Sequence, residues 1–170
     1  SLALIKQKKF KKAINILISL SKFLENKDKL YTVKKFVLIA LADAYIKNNE
    51  RMEGLSILKD LNNIYPTDNS ILYYLSNAYI INKDYKKTLN LLLPYIVEHK
   101  DHRLILKVSE AAYKLNEKSL GHEYRGDYLK IVGSFNSAIK FYQRAAKYNN
   151  KGTTVNKRIK ENGMGGSWFI

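Results

Sequence analysis

The chain has three histidines and no cysteine, so any metal or nucleophilic chemistry must be assembled from few groups. His99 and His102 stand three residues apart with Asp101 between them. Imidazole nitrogens and a carboxylate are good donors to a divalent transition metal, and residues three apart share a helix face. The stretch Val97-Glu98-His99-Lys100-Asp101-His102 nevertheless reads as a helix end running into a turn, with no third strong ligand nearby. No metal site is expected there. His122 falls on a helix face near Tyr124 and Tyr128 and is expected to pack or to hydrogen-bond. No nucleophile, general base and oxyanion donor occur together in a pattern that points to catalysis. The chain is therefore expected to be non-catalytic, with no catalytic residues and no cofactor.

Composition bounds what else the chain could be. Over 170 residues there are only two prolines and eight glycines, which leaves room for long helices. No apolar run approaches the length that spans a bilayer. Residues 1–12 carry five lysines but open directly onto a helical pattern, without the apolar stretch and cleavage site of a signal peptide. The formal charge of +15 favours encounter with acidic partners, whether protein, lipid or nucleic acid. Abundant lysine, asparagine, isoleucine and tyrosine are also what an AT-rich coding bias produces, so the charge by itself does not assign a partner.

Self-similarity decides the fold class. Two windows, 35–68 and 69–102, align at a spacing of 34 residues. In the first, Leu38, Leu41, Ala42 and Tyr45 form one helix face, Lys47-Asn48-Asn49 turns, and Gly54, Leu58 and Leu61 form the facing helix, closed by Tyr65-Pro66. In the second, Leu72, Leu75, Ser76 and Tyr79 repeat the face, Asn82-Lys83-Asp84 turns, and Thr88, Leu92 and Tyr95 follow. Small residues at the crossing points, Ala42 with Gly54 and Ser76 with Thr88, let the two helices approach closely. Pro94 falls inside the second helix of the second window and is expected to kink it or to restart its bonding.

Toward the amino end, Ala13 to Leu17 with Leu20 reads as the second helix of another hairpin, whose first helix is expected to begin before Ser1. The connection from Glu25 to Leu30 is longer than the usual turn. Toward the carboxyl end, Leu104–Leu115, a helix from near Glu117 to Val132, and Phe135–Tyr148 form three successive helices, with Gly133 as a break. The helix around His122 can pair both backward and forward, so it counts as an extra helix. A short basic capping helix is expected over Thr154–Glu161, followed by a ragged tail with Trp168. The expected architecture is all-α, a solenoid of about eight or nine helices spanning 1–161, with 162–170 as a tail; stacking supplies the core that no hairpin could bury alone.

The 34-residue spacing, the small crossing residues and Pro66 resemble the tetratricopeptide repeat. That resemblance implies a right-handed superhelix whose concave face, lined by first helices, binds proteins. On that geometry the groove positions are Phe36, Ile39, Asp43, Ile46 and Lys47, then Ser70, Tyr73, Asn77, Ile80 and Ile81, with Lys107, Lys114 and Asp127 extending the face. A closer resemblance is carried by His122-Glu123-Tyr124-Arg125-Gly126-Asp127-Tyr128 followed by Phe135, Ala138-Ile139, Tyr142 and Ala145-Ala146-Lys147. This run looks like the carboxyl-terminal repeats of periplasmic M48-family zinc metalloproteases of the outer-membrane assembly-enhancing type, with Gly126 where alanine is more usual.

What the closer resemblance implies is a protein-interaction module fused to such a protease in the periplasm, with outer-membrane assembly components, a protease domain or peptide segments as partners. The zinc chemistry is not carried over, because the His-Glu-x-x-His helix is absent from this sequence. A free-standing scaffold or adaptor, in periplasm or cytoplasm, is the alternative. Nucleic-acid binding is a third reading, supported by charge but opposed by dispersed basic residues in which lysine far outnumbers arginine.

Overall fold

The computed structural model describes residues 2–27 and 30–148, with the side chains of Leu2 and Lys6 left aside. The expected capping helix over Thr154–Glu161 and the tail with Trp168 lie outside these residues. Nine helices account for nearly all of what is described: α1 (Leu2–Lys6), α2 (Phe10–Phe23), α3 (Tyr31–Lys47), α4 (Arg51–Ile64), α5 (Asn69–Ile81), α6 (Tyr85–Glu98), α7 (His102–Lys114), α8 (Lys118–Ile131) and α9 (Phe135–Tyr148). The chain divides into two compact units, Ser1–Lys83 and Asp84–Ile170. Within each unit, every helix packs on the next one in sequence.

Two kinds of connection alternate in the first unit. The turns after α1 and α3 place one residue in the left-handed region, Lys8 at φ 59° and Asn49 at φ 70°. There the chain reverses by a bond from three residues past the helix, Lys9 N–H to Leu4 O at 2.9 Å and Glu50 N–H to Tyr45 O at 2.9 Å, which satisfies a carbonyl the helix end would otherwise orphan. Between α4 and α5 the chain is extended at Asp68 instead. Asp68 caps α5, its Oδ1 accepting from Ser70 N–H (2.9 Å) and Ile71 N–H (3.1 Å), as a short carboxylate suits the first turn of a helix. Lys35 Nζ on α3 reaches the other oxygen of Asp68 at 2.6 Å, so the cap also ties the start of α5 to α3.

The Asp68 carboxylate is pushed up by burial, but the Lys35 hydrogen bond and the backbone N–H groups of Ile71 and Ser70 outweigh this and hold it below the usual carboxylate range. A depressed carboxyl adds stability that is fully present above the unfolded-state value near 3.9 and is lost as pH falls through the folded value. Asp68→Ala is expected to lower stability by about 1 kcal/mol at neutral pH and to flatten the decline of stability below about pH 4. Urea titrations of both proteins at pH 7 and pH 3.5 measure this; a parallel decline in the two would contradict it.

The core of the first unit is apolar and continuous. Ala13, Ile14 and Leu17 on α2 meet Val37, Leu41 and Ala44 on α3, while Ile39, Leu61 and Ile71 join α3, α4 and α5. α3 packs against α2, α4 and α5 alike, which is why it is apolar on nearly every side. Gly54 marks the α3–α4 crossing: an added Cβ there would lie 2.6 Å from the Ala42 carbonyl oxygen.

In the second unit α8 is packed on both sides, by α7 and by α9. Both connections are of the tight kind, with Asn116 at φ 61° and Gly133 at φ 82°, and both close with the same reversing bond, Glu117 N–H to Ala112 O (2.9 Å) and Ser134 N–H to Leu129 O (2.8 Å). The sequence of α8 carries both registers. Toward α7, Gly121 faces Ser109, whose hydroxyl donates to the Gly121 carbonyl at 2.8 Å. Toward α9, Gly126 lies under the ring of Tyr142, which is fully buried with Ala138 and Ala145. The helix around His122 is thus the second member of one hairpin and the first of the next. Pro94 lies within α6, which continues through it from Tyr85 to Glu98.

Candidate partner-binding surfaces

The sequence-predicted groove positions fall into three groups. Phe36 is 53% exposed on α3, with the Lys35 ammonium 4.9 Å from its ring centre. Lys47 is exposed and pairs with Asp43 one turn earlier at 2.6 Å. On α5, Tyr73, Asn77, Ile80 and the Asp68-bonded Ser70 are half-buried, Tyr73 lying edge-on to Tyr74 at 5.5 Å; Ile81 is exposed. In the second unit Lys114 is exposed, Asp127 is half-buried, and the Lys107 ammonium pairs with Glu110 at 3.2 Å.

Ile39 corrects the expected pattern. At 4% exposure it is a core residue, packed with Leu61 and Ile71, and it offers no area to a partner. Ile46 is likewise buried, its Cγ1 lying where a Cβ on residue 54 would go. Ile39 is covered by α4 and by α5, the third neighbour of α3, and Ile46 by α4 at the Gly54 crossing, so packing consumes both positions.

The histidine-rich segment is used structurally. Asp101 caps α7 by accepting from Arg103 N–H at 2.8 Å, and its second oxygen takes the Arg103 guanidinium at 2.7 Å. The Arg103 hydrogen bond holds this carboxyl below its usual range. His99 lies against the Tyr95 ring at 4.5 Å and His102 sits 6.3 Å from Tyr128. Among the described residues no three His, Cys, Asp or Glu side chains are grouped so as to hold a metal ion.

His122 sits in an aromatic nest. Its Nδ1 is 2.7 Å from the Tyr113 hydroxyl, Phe141 and Tyr148 flank the ring at 5.7 Å, the latter stacked. Burial pushes its imidazole below the ordinary value, and Arg144 and Lys118 push the same way. A histidine with a lowered folded value contributes stability that is present above the unfolded value near 6.5 and is lost as pH falls below it. The expected result is that acidification from pH 7.5 to 5 weakens wild type more than His122→Phe, read from urea midpoints. Equal losses would contradict it; the carboxylates of Asp68 and Asp101 titrate below this window.

One surface of the second unit stands apart. A cavity of about 490 Å³ opens between Ile96, Val97 and Lys100 at the end of α6, Ile105 on α7, Tyr124, Asp127, Lys130 and Ile131 on α8, and Phe135 at the start of α9. Its floor, Ile96 and Ile105, is buried, whereas Val97 (75% exposed), Phe135 (53%) and Ile131 (42%) stand on the surface. The Tyr142 hydroxyl donates to Asp127 Oδ1 at 2.8 Å and so fixes the carboxylate in the wall. Asp127 is the one predicted position in this cavity. The others were missed because helix ends and loops build it, not the face of one first helix; the apolar residues Val97, Ile131 and Val132 beside the turns were the available signal.

In the first unit Lys8, Lys9, Lys11 and Lys12, with Phe10 and Asn48, line an open cavity of about 350 Å³. Among the described residues no helix is long and apolar enough to cross a membrane. No family model matches the chain, and no curated protein matches it either. What the fold and its surfaces define is a class: a small all-α protein of consecutively packed helices, suited by its helical framework to mediate protein contacts.

Proposed function

We propose that this chain is a non-catalytic, repeat-type interaction module that binds protein segments, and that the second-unit cavity is its principal contact surface. The observation that carries the reading is the exposed rim of Val97, Ile131 and Phe135 over a buried apolar floor. Clustered exposed apolar side chains beside a concavity are what a partner's anchor residues require. The test is cross-linking of the purified chain in cell extract at low salt and at ~0.5 M salt, where surface charges are heavily screened, with wild type beside Val97→Asp and Phe135→Asp. Proteins captured by wild type at both salt levels and lost in the variants support the reading. Capture that vanishes at high salt, or that is mainly nucleic acid, overturns it and returns attention to the lysines of the first unit.

The finer proposal is that the module serves an M48-type envelope metalloprotease in the periplasm. Its support is the resemblance of the His122–Lys147 run. The fold uses the principal residues of that run for packing: Gly126, Ala138, Tyr142 and Ala145 form the α8–α9 crossing and His122 the aromatic nest. These demands apply to any closely packed helical pair, so the free-standing adaptor accommodates the run equally well. Recovery of outer-membrane assembly proteins or a protease domain in the same cross-linking would favour the protease association.

A further inference from the structure

We propose that the occupant of the second-unit cavity is an acidic, apolar peptide segment of a partner protein: apolar side chains seated against Val97, Ile131 and Phe135, with carboxylates beside Lys100 and Lys130. This rests on the reading of the cavity as a partner-binding surface and adds the chemistry of what it takes.

Charge complementarity carries the choice. The charged side chains that line the cavity are two lysines and one aspartate, and that aspartate is engaged by the Tyr142 hydroxyl. A carboxylate on the partner is therefore attracted, and over a longer range the +15 charge of the chain steers acidic segments toward it. The same charges disfavour two other occupants. The chain's own residues 149–170 carry Lys151, Lys157, Arg158 and Lys160 against Glu161, and a second copy brings its own +15. The apolar rim disfavours a polyanion without side chains to bury, because burial of apolar area is what desolvates and strengthens the lysine contacts.

The experiment is fluorescence anisotropy of the full chain with four labelled probes. These are a short peptide alternating Leu or Phe with Asp or Glu, a neutral peptide with Ser and Asn in place of the acids, a polar acidic peptide without Leu or Phe, and polyuridylate. Lys100→Glu with Lys130→Glu is compared with the control Lys59→Glu on exposed α4, and circular dichroism confirms folding of each variant. The acidic apolar peptide is expected to bind at least tenfold tighter than the neutral and the polar acidic peptides. The double reversal should weaken it by roughly tenfold or more, while Lys59→Glu leaves it within a factor of about two.

Equal binding of the neutral peptide, lost in Phe135→Asp and untouched by the lysine reversals, would overturn the acidic partner but leave the cavity as a binding surface. Binding of none of the peptides would remove both. Polyuridylate binding that competes with the peptide and is lost in the double reversal would assign the site to nucleic acid. A photo-cross-linker at position 135 that joins the chain to its own residues 149–170, or to a second copy, would likewise overturn the proposal.

Discussion

Replacing Tyr142 by alanine is expected to cost about 3–5 kcal/mol, the range for removing a large, fully buried aromatic side chain. Tyr142 has no exposed area and lies between Ala138 and Ala145 on its own helix and Gly126 on α8. Its buried neighbours are alanines and a glycine, which cannot extend, and the half-buried Leu129 beside them can refill only part of the space, so a cavity persists. Tyr142→Phe separates the ring from its hydroxyl. It keeps the packing and loses the bond to Asp127, for a cost of about 1 kcal/mol. Urea denaturation and hydrogen exchange of α8 and α9 amides give both values. If alanine cost no more than phenylalanine, the α8–α9 crossing would not be the packed contact described here.

The second large effect is expected at the helix crossings, where three glycines respond differently to the same added methyl group. Glycine to alanine within a helix ordinarily gains up to about 1 kcal/mol from propensity. At Gly54 the new Cβ would stand 2.6 Å from the Ala42 carbonyl oxygen and 2.7 Å from Ile46 Cγ1; a backbone oxygen moves only if α3 moves. At Gly126 it would enter the buried ring of Tyr142, held by its bond to Asp127. Overpacking of this kind costs about 1–3 kcal/mol and occasionally more, so both substitutions should be net destabilising. At Gly121 the obstacle is the Tyr113 ring, which is 38% exposed and can swing outward by giving up its hydroxyl's bond to His122, a loss of about 1 kcal/mol that the gain in helix propensity offsets. Gly121→Ala is expected to stay within about 0.5 kcal/mol of wild type. Urea midpoints for the three variants should therefore fall into two low values and one near wild type, and three equal shifts would contradict the packing argument.

These glycines also show what was legible in the sequence. The Ala42–Gly54 crossing and the dual pairing of α8 could be read directly, because small residues recur where backbones approach and because two registers are written on one helix. The start of α9 coincides with the expected Phe135, since Gly133 breaks the helical pattern just before it. At Gly126 the departure from alanine reads as a weak mismatch in sequence; in the structure it is the space that Tyr142 occupies.

α3 was less legible. Apolar residues on nearly every side leave its periodicity without a preferred direction, so Ile39 could not be separated from Phe36: one is buried by the third neighbour and the other exposed. The cavity at the second unit was hidden for a different reason. It is composed of residues between 96 and 135 on four helices and a loop, and only their meeting in space gives it a floor and a rim. The lysine clusters, conspicuous in the sequence, proved a poor guide to concave apolar surface.

Hydrogen exchange of the full chain, alone and with a protein captured by cross-linking, tests the central claim most directly. Binding at the proposed surface is expected to slow exchange at the end of α6 and the following loop, in α8 from Tyr124 to Ile131, and on to Phe135 at the start of α9, and to do so at ~0.5 M salt as well as at low salt. Protection confined to residues 8–12, or protection that disappears with added salt, would mean that the lysines of the first unit act alone and that the apolar cavity is not where partners bind.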